Sequence, residues 1–354
     1  MAEKKDRYVA YVGTYTHSNS VGIHIYDIDP DTGKMVEKSV APINNPSYLK
    51  VSDDGRRVYS IADEGVASFR ILEDGSLEFL THQWIGGMRG CYVETDKQRR
   101  YLFVAGYHDG RVTMMRMGES GELTGIADGI FHQGLGISSV EKRLEPKVTC
   151  VDLTPEEDFL CAVDYGLDQI KIYRVHYDRG RLELVDILRF PYESQPRMLR
   201  FSKDGRFAYV MCERSNEIYV YEYKYNKKMP EFEKIQVVST VGKGAYVLAA
   251  SSMICFDSTE EHMYVSIDAK NCVVCMNRDP ETGILERSFE FHISGDYPKT
   301  IMMMPGDKFI VVLNHDTNEI RTFEVDLEKK CALMRSAPVS VDKPNCIQIH
   351  KLPN

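Results

Sequence analysis

Short apolar runs separated by Asp/Gly turns recur along the whole chain. The clearest copies are Val51-Ser-Asp-Asp-Gly-Arg-Arg-Val-Tyr59 and Phe201-Ser-Lys-Asp-Gly-Arg-Phe-Ala-Tyr209. Each reads as a strand, a tight polar turn and a second strand that closes on an aromatic residue. Weaker copies close at Phe103, Cys161, Tyr264 and Val311, and Tyr11 lies one further step before Tyr59. Successive closing positions are 44 to 58 residues apart, from Tyr11 through Val311. A period of that size in an all-strand pattern predicts the blades of a β-propeller, and the register gives seven of them.

Between the cassettes runs a second pattern, an alternating strand followed by a Gly-containing turn and a Leu or Met. Ile23-His-Ile-Tyr-Asp-Ile28 leads to Asp31-Thr-Gly-Lys-Met35, and Ile170-Lys-Ile-Tyr-Arg-Val175 leads to Asp178-Arg-Gly-Arg-Leu182. Each blade is therefore predicted to hold four antiparallel strands, two from the cassette and two from this hairpin. Tyr8 to Val12 matches only the closing half of a cassette, whereas Pro344-Asn-Cys-Ile-Gln-Ile349 matches the opening half. The ring is thus expected to close by pairing the C-terminal strand with the N-terminal one, which leaves no free edge at the seam. Residues 1–354 read as a single domain with no linker. The longest irregular stretch is Gly125 to Glu145, a loop expected over one mouth of the channel.

Composition narrows the functional classes. The net charge of −9 argues against a general grip on nucleic acid, which needs a dense basic surface. No apolar stretch approaches the length of a membrane helix, and the first residues lack the apolar core of a signal peptide. Nine cysteines, most of them inside strand-like runs, fit reduced thiols in the cytoplasm better than a disulfide framework. The Cys272-x-x-Cys275 pair sits on an alternating strand, which turns the two thiols to opposite faces and argues against a zinc site. Neither a metal nor a cofactor is expected.

The signposts Val12-Gly-Thr-Tyr-Thr16, Asn45-Pro-Ser-Tyr-Leu49, His132-Gln-Gly134, Asp164-Tyr-Gly-Leu-Asp168 and Gln195-Pro-Arg197 resemble the lactonase-type seven-bladed propellers, the family of the propeller 6-phosphogluconolactonases. The resemblance covers essentially the whole chain. It implies a metal-free hydrolase that opens a sugar-acid lactone in the propeller funnel. Glu64, Arg143, Asp164, Asp168, Arg197 and Glu213 follow the family pattern. Several histidines do not: the family's Pro-His-x-His is Pro146-Lys147-Val148-Thr149 here, its Pro-Arg-His is Pro196-Arg197-Met198, and its later Pro-Arg is Pro298-Lys299.

Opening a lactone needs a base for water, a donor for the developing oxyanion and contacts that hold the ring; a 6-phosphate adds a demand for Arg or Lys. The cassette register sends Glu64, His108, Asp164, Glu213 and His315 just past the second strands, and Arg143, Lys147, Arg197 and Lys299 just before the innermost ones. Both sets reach the same mouth. The expected catalytic residues are Glu64 or Glu213 as base, with Arg197 as oxyanion contact. Arg143, His108, His132, Asp164, Lys147, Lys299 and His315 are the expected substrate contacts. Plainer roles stand beside these: Asp164 and Asp168 as the pair organising the Gly166 bend, and the carboxylates as partners of neighbouring arginines. The expected partner is a small anionic molecule or sugar lactone. The alternatives are a propeller that binds a small acid or a protein without turnover, and a hydrolase for a different lactone.

Overall fold

The computed structural model describes residues 6–133, 145–242 and 248–353, and they form seven antiparallel sheets arranged as blades. Within the two clearest cassettes the Asp/Gly turn fixes the hairpin by the same contacts. Gly55 and Gly205 are left-handed, at φ 66° and 72°, where glycine has no Cβ penalty. Their amides donate to the Ser52 and Ser202 carbonyls at 2.8 and 2.9 Å, and each serine hydroxyl donates to an aspartate two residues on, at 2.7 and 2.6 Å.

The innermost strands are Leu49–Val51, Tyr92–Thr95, Val148–Leu153, Pro196–Phe201, Ala250–Phe256, Pro298–Met303 and Pro344–Lys351. Each is in contact with the next around the axis, and the last with the first, so the circle is complete. Pro344–Lys351 pairs antiparallel with Tyr8–Thr14, from Tyr8 opposite Lys351 to Thr14 opposite Pro344. The first blade is therefore built from both ends of the chain, as its half-cassettes predict. One outermost position is interrupted: in the seventh blade Cys331–Met334 and Val339–Ser340 both pair with Glu319–Asp326.

The closing aromatic of the cassette has a role between blades. The hydroxyls of Tyr11, Tyr59 and Tyr209 donate to the carbonyls of Gly75, Gly121 and Gly283, at 2.9, 3.2 and 3.0 Å. Each of these glycines lies in the Asp/Gly hairpin of the following blade. A buried ring thus fills the space between two sheets while its polar tip fixes the neighbouring turn.

The expected loop over Gly125 to Glu145 requires correction. Leu123–Phe131 is the outermost strand of its blade, paired with Arg111–Met117 through two register shifts. These shifts and the two internal glycines hide its alternation in the sequence. The expected cover over the mouth falls on residues 134–144, outside the described residues.

Candidate active site

A repeated backbone irregularity builds the site. In five blades the ladder between the two inner strands slips by one residue near the start of the innermost strand. The skipped residues are Thr149, Arg197, Ser252, Lys299 and Asn345, and all five line one cavity of about 410 Å³. A bulge leaves its extra residue unpaired and re-aims its side chain, here toward the axis. Three of the preceding loops also share a left-handed residue directly before proline, Gln195, Tyr297 and Lys343 at φ 56°, 56° and 46°, and Asn45 at φ 49° repeats it before the unbulged Leu49–Val51. Such a conformation costs a non-glycine residue roughly 1–3 kcal/mol and persists where the surroundings enforce it. It brings the chain sharply into the bulge.

All seven blades contribute to the cavity wall. Six tyrosines stand in it, Tyr15, Tyr48, Tyr92, Tyr107, Tyr165 and Tyr297, together with Arg89, Cys91, His108, Arg197, Glu213 and Lys299. Arg197 donates to Glu213, and both side chains are mostly buried. The Tyr165 hydroxyl donates to the other oxygen of Glu213 at 3.3 Å. Lys299 donates to the Tyr297 hydroxyl at 2.6 Å and lies 4.8 Å from the centre of that ring. Burial, and then the Arg197 guanidinium, push the Lys299 amine down to about 7. Burial pushes the Cys91 thiol up to about 12, and that thiol donates to the Val148 carbonyl at 3.3 Å. Arg89 lies 5.2 Å over the Tyr15 ring.

The innermost strands carry a second charged layer three residues further along. Lys50 meets Glu94 at 2.6 Å and Arg200 meets Asp152 at 3.7 Å. Between the layers Tyr48 and Tyr92 pack together with ring centroids 4.2 Å apart, and Arg200 lies 5.5 Å from Tyr92. Burial holds the Asp152 carboxyl above its ordinary range despite the opposing pull of Arg200.

Of the residues expected at the mouth, Glu213, Arg197, His108 and Lys299 line the cavity together. The others do not. Glu64 is exposed on the turn after Arg57–Ala62, outside the lining. Asp164 is fully buried; it accepts from His132 Nδ1 at 2.7 Å and from the amides of Lys147, Gly166 and Leu167 at 2.9, 3.1 and 3.1 Å. His132 is buried as well, and its Nε2 meets the Tyr173 hydroxyl at 3.0 Å. These two are corrected from substrate contacts to a structural pair that joins the third and fourth blades, with every side-chain polar atom engaged inside the protein. Asp168 accepts from the Glu193 and Gln195 amides, both at 2.7 Å, and so ties down the loop that carries Arg197.

Lys147 lies outside the lining, 5.4 Å from the Tyr107 ring. His315 stands behind the wall, its Nδ1 against the Pro344 carbonyl at 3.0 Å and its ring edge-on to Tyr15 and Tyr297. Arg143 lies outside the described residues.

Tyr15, Tyr107, Tyr165 and Arg89 were not among the expected contacts. The first three were legible: they stand four residues past Tyr11, Phe103 and Cys161, as Glu213 stands four past Tyr209. Among the described residues no group of three or more His, Cys, Asp or Glu is placed to hold a metal ion, and no helix is long and apolar enough to cross a membrane.

This architecture has relatives. The 6-phosphogluconolactonase of Bacillus subtilis strain 168 is 30% identical over 348 residues, covering 97% of this chain and 98% of the relative. The structure of the periplasmic gluconolactonase of Pseudomonas aeruginosa matches with a TM-score of 0.91 at 25% identity, covering 98% of this chain and all of that one. A Lactobacillus plantarum protein matches with a TM-score of 0.86 at 25% identity, covering 98% and 99% of the two chains. Residues 9–349 match the family described as lactonase, 7-bladed beta-propeller, and the chain, with its seven clasped blades and its axial cavity lined by bulged residues, belongs to that family.

Proposed function

We propose that the protein hydrolyses a sugar-acid lactone in the axial cavity, with 6-phosphogluconolactone as the leading substrate. The observation that carries this reading is the Arg197–Glu213 pair standing in the cavity wall beside Lys299 and the Tyr165 hydroxyl. Glu213 engages one arm of the guanidinium, and the remaining N–H donors of Arg197 are suited to the oxyanion that forms when water adds to the lactone carbonyl. Held by a bulge and a buried partner, these donors need no reorganisation as that charge develops. The tyrosines offer ring faces and hydroxyls to a sugar ring, and Arg89 on Tyr15 supplies a cation for a phosphate or carboxylate. Two of the named relatives, the Bacillus 6-phosphogluconolactonase and the Pseudomonas gluconolactonase, support a lactone of this class.

The test follows the decay of freshly prepared glucono-δ-lactone and its 6-phosphate. Wild type is expected to exceed the buffer rate, and Arg197→Ala to lose that excess by about 10²-fold or more. Decay equal to the blank across sugar lactones would end this reading. A binding protein without turnover is favoured by one observation: Glu213, the expected base in the cavity, is already committed to Arg197 and Tyr165. In that case gluconate 6-phosphate would raise the melting temperature while no lactone turned over. We propose a cytoplasmic location on the ground that six of the nine cysteines are buried as free thiols.

A further inference from the structure

We propose that Lys299 is the base that takes the proton from the attacking water, with Tyr297 as its positioning residue. This rests on the lactone-hydrolase reading above and names the group that Glu213 leaves missing. Lys299 is the bulged residue of its strand, so its side chain is turned into the cavity rather than along the sheet. Its Nζ is fixed 2.6 Å from the Tyr297 hydroxyl, and Tyr297 is itself held left-handed at φ 56°. One N–H of a neutral amine satisfies that contact, which leaves the lone pair for water.

Two other candidates in the wall are engaged, and a third, His108, is exposed and lies edge-on to the Tyr107 ring. Glu213 accepts from Arg197 and Tyr165, and the Cys91 thiol donates to Val148. The charged and titratable groups facing Lys299 come from four blades: Arg197 and Glu213, Asp268, Cys91, and Tyr297 and His315 of its own blade. Burial and Arg197 outweigh the nearby acids, and the amine is held at about 7. A base with that value is half unprotonated at neutral pH, whereas an ordinary lysine at about 10.4 is almost wholly protonated.

The proton path closes on itself. Water oxygen bonds to the lactone carbonyl carbon, the C=O pair moves onto oxygen beside Arg197, and the water proton passes to the amine. When the tetrahedral intermediate collapses, the ring C–O bond breaks and the departing oxygen takes the proton back from the Lys299 ammonium. Lactone and water become hydroxy acid, which then ionises into solvent, and the enzyme is unchanged.

In the experiment, kcat/KM of wild type is measured from pH 5 to 9 beside Lys299→Met and Lys299→Arg, with the 13Cε resonance of Lys299 titrated in 13C-lysine-labelled wild type. The expected result is a wild-type rate that rises with pH through an apparent pKa of about 7 and a 13Cε midpoint that agrees with it. Both variants, checked for a native melt, should lose about 10²–10⁴-fold in kcat and lose the rising limb. Arg keeps the charge but has no usable lone pair near neutrality, so it separates base chemistry from electrostatics. Tyr297→Phe should shift the limb and lower kcat more than it changes KM.

Turnover by Lys299→Met within about threefold of wild type would overturn the assignment alone. So would a limb that persists in Lys299→Met, which would belong to another group, or a 13Cε midpoint near the ordinary value of about 10.4. No turnover of any lactone by wild type would remove the hydrolase reading and the base role together.

Discussion

A single residue of offset separates Glu213, which serves the cavity, from Asp164, which serves the blade. Glu213 stands four residues past the closing Tyr209 and lines the cavity; Asp164 stands three past Cys161 and is buried, while Glu64 stands five past Tyr59 and is exposed. Tyr15, Tyr107, Tyr165 and Glu213 each follow directly on the end of a second strand and line the cavity, whereas His315 at the same offset stands behind the wall and His108 lines the cavity at an offset of five. At the offset of four the chain presents Tyr15, Tyr107 and Tyr165, which an inspection limited to charged residues passes over. Asp164 shows the structural alternative at full strength, as the acceptor for three backbone amides and His132. Asp164→Ala strands those donors in the interior and is expected to cost roughly 3 kcal/mol or more in urea unfolding. A loss below about 0.5 kcal/mol, the scale of an ordinary surface change, would remove the structural role.

At the scale of elements, the closing tyrosine and the Gly turn of the next blade form one unit that recurs in three blades. Tyr11, Tyr59 and Tyr209 each reach the following hairpin, so the cassette carries its own docking contact. The clasp works differently, because it joins segments more than 300 residues apart by a full ladder from Tyr8 to Thr14. A chain ending at Lys343 lacks the innermost strand of the first blade and the buried Cys346, Ile347 and Leu352. It also exposes the inner edge of Tyr8–Thr14, an open template for pairing with other chains. Such a truncation is expected to lose its near-ultraviolet dichroism and its cooperative melt. A melt within about 2 °C of the full chain would show that the clasp contributes little; each kcal/mol moves the midpoint of a sizeable domain by roughly 2–4 °C.

Across the whole molecule, every innermost strand touches two neighbours and none terminates the ring. A repeat array with open ends can unfold blade by blade, but a closed ring breaks two interfaces with the first blade it loses. Scanning calorimetry is therefore expected to show one transition with matching calorimetric and van't Hoff enthalpies. Two resolved peaks would divide residues 1–354 into separately folding parts.

Blade number, strand order and the clasp were all determined by the sequence, because period-2 alternation and Asp/Gly turns are local signals that each copy repeats. Arg197, Glu213, His108 and Lys299 were also legible as residues at the cavity mouth. Only the tertiary structure decided what they do there. Glu213 is occupied by Arg197, and the amine of Lys299 is unsettled by burial and by an arginine two blades away, about 100 residues earlier in the chain. Charge coupling acts through space in a dry cavity, and no local pattern of residues records it. The axial propeller that frames Lys299 could be read from the sequence, whereas the state of its proton could not.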